Sequence, residues 1–136
     1  MIKKTLTVPI YDCRVNVVVV DDQESFEQEV YDAGWHEELN GNAVTLHYLS
    51  NPSVFCVIFT SDSLSPGNIA HEADHLTTKI MESRDIKYDP NNQEPRAYLL
   101  GFIVDGLHQI IYGETDKQKQ KAGRRGKARK GGKWRV

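Results

Sequence analysis

His71-Glu72-Ala73-Asp74-His75, two histidines four residues apart with a glutamate beside the first, is the part of this chain best suited to chemistry. Residues i and i+4 of a helix lie on one face with Cβ atoms about 6 Å apart, which lets two imidazoles grip one zinc ion. A glutamate next to the first histidine points to the side of such an ion, where it can take a proton from a bound water. Ile69, Ala73, Leu76 and Ile80 form the apolar stripe of the same segment, and His71, His75 and Thr78 fall roughly opposite. The histidines therefore share a face that is not the main core face.

Catalytic zinc takes a third protein ligand and keeps one open position. The downstream candidates are Glu82, Asp85, Asp89, Glu94, Asp105 and His108. Glu82 shares the histidine face but lies about 10 Å further along the helix, and His108 lies about 20 Å along the next helix from Glu94. Glu94 is far enough past His75 for one helix to finish, turn and return antiparallel. Glu94, Tyr98, Gly101, Asp105 and His108 make one stripe of that second helix, opposite an apolar face of Leu100, Ile103, Val104, Leu107 and Ile111. Gly101 is expected to let the two helices approach closely. His47 in a strand and His36 beside Glu37-Glu38 read as a packed and a solvated histidine.

The elements that must position these residues follow from periodicity and punctuation. Leu6, Val8 and Ile10 alternate as in a strand, with Pro9 suiting an edge or a strand end. A turn near Asp12-Cys13 leads to a second strand, Arg14–Val20, with valines on both faces. Ser25-Phe26-Glu27-Gln28 has the form of a capping box, and Gly34 suits the end of the helix it opens. Ala43–Leu49 and Val54–Phe59 are two further strands around a turn at Ser50-Asn51-Pro52-Ser53. Ser65-Pro66 opens the motif helix, which runs to about Ser83, and another helix is expected from about Asn92 to Tyr112. The order β-β-α-β-β-α-α makes an α+β chain.

The 136 residues suffice for one domain, and no apolar run is long enough to cross a membrane. Residues 1–5 lead into alternation rather than an apolar block, and Cys13 and Cys56 make no disulfide framework, so a soluble cytoplasmic protein with reduced thiols is expected. The net charge of −2 hides a split. Residues 117–136 hold ten Lys or Arg and no acid, which leaves seven basic residues against 19 acidic ones in residues 1–116. The body thus carries about −12 and the tail +10. The expected division is a domain over 1–113 and a basic, Gly-rich flexible tail over 114–136.

The histidine pair followed by a glutamate on the next helix is similar to the gluzincin arrangement of zinc metallopeptidases. The stretch IAHEADHLTTKI…IKYDPNNQEPRAYLLGFIVDGL resembles small H-E-x-x-H metallopeptidases encoded by bacteriophages and prophages, which share an E-P-x-A-Y-L-L-G form. The resemblance covers about residues 1–112 and is strongest over 69–106. It implies a minimal zincin-like fold: a small, mainly antiparallel sheet, a helix carrying the motif and a following helix carrying the third ligand. It also implies peptide-bond hydrolysis in the host cytoplasm by Glu-assisted attack of a zinc-bound water. His71, His75 and Glu94 match the zinc ligands and Glu72 the general base. An extended peptide or protein substrate would lie along an edge strand, either Val54–Phe59 or Ala43–Leu49. Where the usual gluzincin signature has an acidic residue orienting a ligand histidine, this chain has Tyr98. Asp105 or Asp74 is left for the orienting role, with Tyr98 as a candidate oxyanion stabiliser.

Two rival readings accompany the peptidase. One is a catalytically inactive zincin-like binding or structural protein. The other is a nucleic-acid-binding protein acting through Arg124, Arg125, Lys127, Arg129 and Lys130, whose cations suit phosphates.

Overall fold

A computed structural model of the chain describes residues 1–37, 39, 41–48 and 50–126, the segment 114–126 as backbone only. The first two alternating segments form a hairpin. Strand β1 (Ile2–Val8) pairs antiparallel with β2 (Cys13–Val20), in a register that sets Leu6 opposite Val15. Pro9 ends β1, so Ile10 sits in the turn, 90% exposed, instead of continuing the strand.

Asp22 caps helix α1 (Gln23–Asp32), its carboxylate accepting the backbone N–H of Ser25 at 2.7 Å. The helix thus starts before the expected capping box, with Ser25 inside its first turn. An aspartate at the N-cap both satisfies a free N–H and complements the positive end of the helix.

Strand β3 (Ala43–His47) pairs antiparallel with β4 (Val54–Thr60), and β4 pairs in parallel with β2, Val17 opposite Val57. The sheet order is β1-β2-β4-β3. The fold is therefore α+β with a small mixed sheet of four strands, parallel at its centre and antiparallel on either side. β4 is interior and β3 is the edge, which decides between the two expected edge strands. The last residue of the expected strand Ala43–Leu49 lies outside the described residues.

Both faces of the sheet are covered. Val15, Val17, Val19, Phe55, Val57 and Phe59 pack beneath helices α2 (Pro66–Ser83) and α3 (Glu94–Gly126). Val18, Val20, Cys56 and Ile58 pack against Phe26 and Val30 of α1. Burying a side chain of this size is worth about 1.5–3 kcal/mol, so the valine-rich β2 and β4 anchor both layers.

Ser65 caps α2, accepting the N–H of Asn68 at 3.1 Å, with Pro66 first in the helix, as the sequence predicts. At the other end Arg84 reaches back to the β1–β2 turn and donates to Tyr11 O at 2.9 Å and Asp12 O at 3.1 Å.

Helix α3 departs from expectation twice. It continues past Tyr112 to Gly126, so the stretch 114–126 expected as flexible tail is helical. Lys, Gln, Glu, Ala and Arg dominate that stretch, no proline interrupts it, and these are good helix formers whatever their charge. Residues 127–136 lie outside the described residues. The close approach is also not at Gly101, around which a Cβ would meet open space. It is at Gly106, where a Cβ would come within 2.7 Å of a Leu6 methyl, so α3 comes closest to β1 rather than to α2 at this level.

Candidate metal centre

The apolar stripe of α2 turns Ile69, Ala73, Leu76 and Ile80 into the core, and the opposite stripe carries His71 and His75 to the surface. Their Nε2 atoms stand 3.1 Å apart, with the rings edge to face. Two nitrogens bound tetrahedrally to zinc at about 2.0–2.1 Å would be about 3.3–3.4 Å apart. The imidazoles thus hold nearly the spacing of a shared ion, and the donor atoms of His71, Glu72 and His75 lie within 4.8 Å of one another. Two imidazole nitrogens and a carboxylate are a donor set that suits zinc.

Glu72 belongs to the interior side of this group. It is only 5% exposed, whereas His71 and His75 are exposed. The hydroxyl of Thr45, on the inward face of β3, donates to Glu72 Oε1 at 3.0 Å. The other oxygen, Oε2, lies 3.9 Å from His71 Nε2. A buried carboxylate thus has one oxygen held by the edge strand and the other facing a histidine.

The expected third ligand sits apart from this trio. Glu94 is exposed at the start of α3, and among the described residues no further His, Cys, Asp or Glu joins the group. The turn that carries Glu94 is nevertheless tied to the histidine stripe. Arg96 pairs with Asp74 and donates from Nη1 to Thr78 Oγ1 at 3.1 Å. Asp74, a candidate for orienting a ligand, is thus engaged by an arginine.

Tyr98 is 75% exposed and lines a cavity of about 420 Å³ with Val8, Pro9, Ile10 and Phe102, none of them from the trio. Asp105 is exposed on α3 and makes no side-chain hydrogen bond or ion pair among the described residues. His47 stacks on Phe55 at 4.2 Å and His36 on Tyr31 at 4.2 Å, and His108 lies 4.9 Å from the Tyr112 ring. Each of these three histidines has its own aromatic neighbour.

The tail cations fall largely outside this description. Lys127, Arg129 and Lys130 lie outside the described residues, and for Arg124 and Arg125 only the helical backbone is described.

Sequence reasoning missed Thr45 and Arg96. A threonine in a strand reads as an ordinary β-former, and only its parity with the inward-facing Ala43 hints that it looks toward α2.

The chain matches no protein-family model, no curated protein and no solved structure.

Proposed function

We propose that the protein is a zinc-dependent peptidase that cleaves an extended segment of a peptide or protein. The observation that carries the reading is the pair of surface imidazoles 3.1 Å apart at Nε2, with the carboxylate of Glu72 beside them. A structural metal site has no use for an adjacent base, so Glu72 favours chemistry over scaffolding.

In this reading His71 and His75 hold the ion and Glu94 completes the set. The tie from Arg96 to Asp74 and Thr78 supports that choice, because it fixes the first turn of α3 against the histidine stripe. A bound zinc supplies Lewis acidity, acidifying water and polarising the scissile carbonyl. Glu72 takes the proton of the attacking water and passes it to the leaving amine. The terminal strand β3 supports binding of an extended chain by strand addition. A cavity of about 530 Å³ along that strand, lined by Trp35, Leu39, Thr45, His47 and Lys79 among others, offers room for substrate side chains. The zincin-like architecture, the kinship with phage-encoded peptidases and a place in the host cytoplasm belong to this same proposal. They rest on the motif and on the α+β order of elements.

The test combines elemental analysis with cleavage of an unbiased peptide library. The parent should carry about one zinc per chain, lost in His71→Ala, and Glu72→Gln should keep zinc while losing about 10²-fold or more in rate. A parent that takes up no zinc on reconstitution, or a Glu72→Gln variant as fast as the parent, would overturn the reading. A zinc-loaded parent without cleavage would favour the inactive, zincin-like binding protein.

One observation favours a second activity alongside the first. Ten cations without an acid occupy residues 117–136, and Lys117, Lys121, Arg124 and Arg125 recur at i, i+4, i+7 and i+8 in the part that α3 makes helical. Cations at that spacing suit a phosphate backbone.

A further inference from the structure

His71, Glu72 and His75 offer three donor atoms within 4.8 Å of one another, so an ion held by the imidazoles is within reach of the Glu72 carboxylate as well. A carboxylate that coordinates the ion is no longer a free base. Something must hold Glu72 back if it is to move protons. We infer that Thr45 does so: its hydroxyl anchors Glu72 Oε1 and keeps the glutamate a base rather than a ligand. This inference rests on the metal site proposed above and deepens it.

The geometry is specific. Thr45 and Glu72 are 7% and 5% exposed, so their contact is shielded from competing water. Thr45 has one hydroxyl proton and two acceptors near it, Glu72 Oε1 at 3.0 Å and Glu72 O at 3.3 Å. The side-chain oxygen is the nearer of the two. Among the described residues Thr45 is the one hydrogen-bond donor to this carboxylate, whose burial without a partner would be costly. Oε2 is left free of any hydrogen bond among the described residues, 3.9 Å from His71 Nε2. Because Thr45 sits on β3 and Glu72 on α2, the contact also fixes the carboxylate relative to the edge strand on which a substrate would lie. Thr45 is thus a positioning residue, acting through Glu72.

Cobalt substitution tests this without requiring a known substrate, because the intensity of cobalt's visible bands reports its coordination number and donor set. In Thr45→Val, which keeps the side-chain shape and removes the hydroxyl, Glu72 is expected to swing onto the ion. The visible bands should weaken as coordination rises, and zinc affinity should shift by about tenfold or more. Cleavage should fall in kcat with KM unchanged. Thr45→Ser should restore the parent spectrum, and in a Glu72→Ala background Thr45→Val should leave the spectrum unaltered. Thr45→Ala carries the same test if the valine variant fails to fold. A parent that loads cobalt and a Thr45→Val variant with the same spectrum and zinc affinity would overturn this inference alone. A parent that loads no cobalt would overturn the metal site, and this inference with it.

Discussion

Arg96, in the first turn of α3, closes on Asp74 of α2, the residue immediately before His75. The same guanidinium reaches Thr78 one turn further on, so a single side chain spans the histidine level of α2. Asp74 is 57% exposed at its side chain and Arg96 23%, so the pair is worth about 1 kcal/mol or less to stability. Its larger effect is to hold the turn that carries Glu94. Arg96→Ala should cost about 1 kcal/mol in urea unfolding and lower zinc retention on dialysis. Unchanged zinc retention would detach the start of α3 from the metal site.

Glu94 is exposed in the first turn of α3, where a carboxylate complements the positive end of the helix, so Glu94→Ala should cost metal-free protein no more than about 1 kcal/mol. Zinc per chain, measured by elemental mass spectrometry, should drop. Full occupancy in that variant would assign the third ligand elsewhere.

The two glycines facing different surroundings on α3 should part company when replaced by alanine. Gly101→Ala meets open space and should gain about 1 kcal/mol from helix propensity. Gly106→Ala drives a methyl into Leu6, with contacts of 2.7 and 2.8 Å to its two terminal carbons. That clash should cancel the propensity gain, leaving Gly106→Ala at least about 1 kcal/mol less stable than Gly101→Ala. Thermal unfolding of the two variants side by side measures the difference.

Burial pushes the Cys56 thiol up from 9.0 to about 11. The unfolded thiol ionises first, so the folded state is favoured fully below pH 9 and progressively less as pH rises toward 11. At about 1.4 kcal/mol per pKa unit, the loss across that interval is about 3 kcal/mol. Urea midpoints measured from pH 8 to 11 should fall, and Cys56→Ala, though less stable overall, should show a shallower slope. An equal slope would place the titrating group elsewhere.

Removing residues 114–136 takes away all ten clustered cations and leaves the residues proposed for the metal site intact. Binding to duplex DNA or RNA, followed by fluorescence anisotropy over a salt series, should be steeply salt-dependent in the full chain and vanish in the truncated one. Zinc content should not change. Nucleic-acid binding that survives truncation would point away from the tail.

The order of elements was legible because each signal is local. Ser65-Pro66 opens α2, and valines on both parities of β2 announce a strand covered on both faces. What escaped depends on which surfaces meet. Nothing in the periodicity of β2 and β4 says that they pair in parallel, since a strand buried on both faces reads the same beside any neighbour. The change of composition after Gly113 reads as the end of a fold, yet helix propensity persists through Lys, Gln and Ala, and α3 follows propensity. Gly101 was the natural place for a close approach between helices, but the tight contact of α3 lies against Leu6 at Gly106. In the site, the histidine pair could be read from its spacing of four, whereas Thr45 could not, because 27 residues separate it from Glu72.

The order of elements along the chain also sets when its sheet can become safe as it is made. Six large apolar side chains on one face of the sheet are contributed by residues 15–19 and 55–59, and their cover, α2 and α3, comes later in the sequence. A growing chain that has reached Thr60 carries a complete set of strands and only one of its two helical layers. Until residues 66–112 emerge, the bare valines and phenylalanines form a sticky plane next to the uncharged strand β3. Helices α2 and α3 together are therefore the cover that ends this aggregation-prone interval during synthesis.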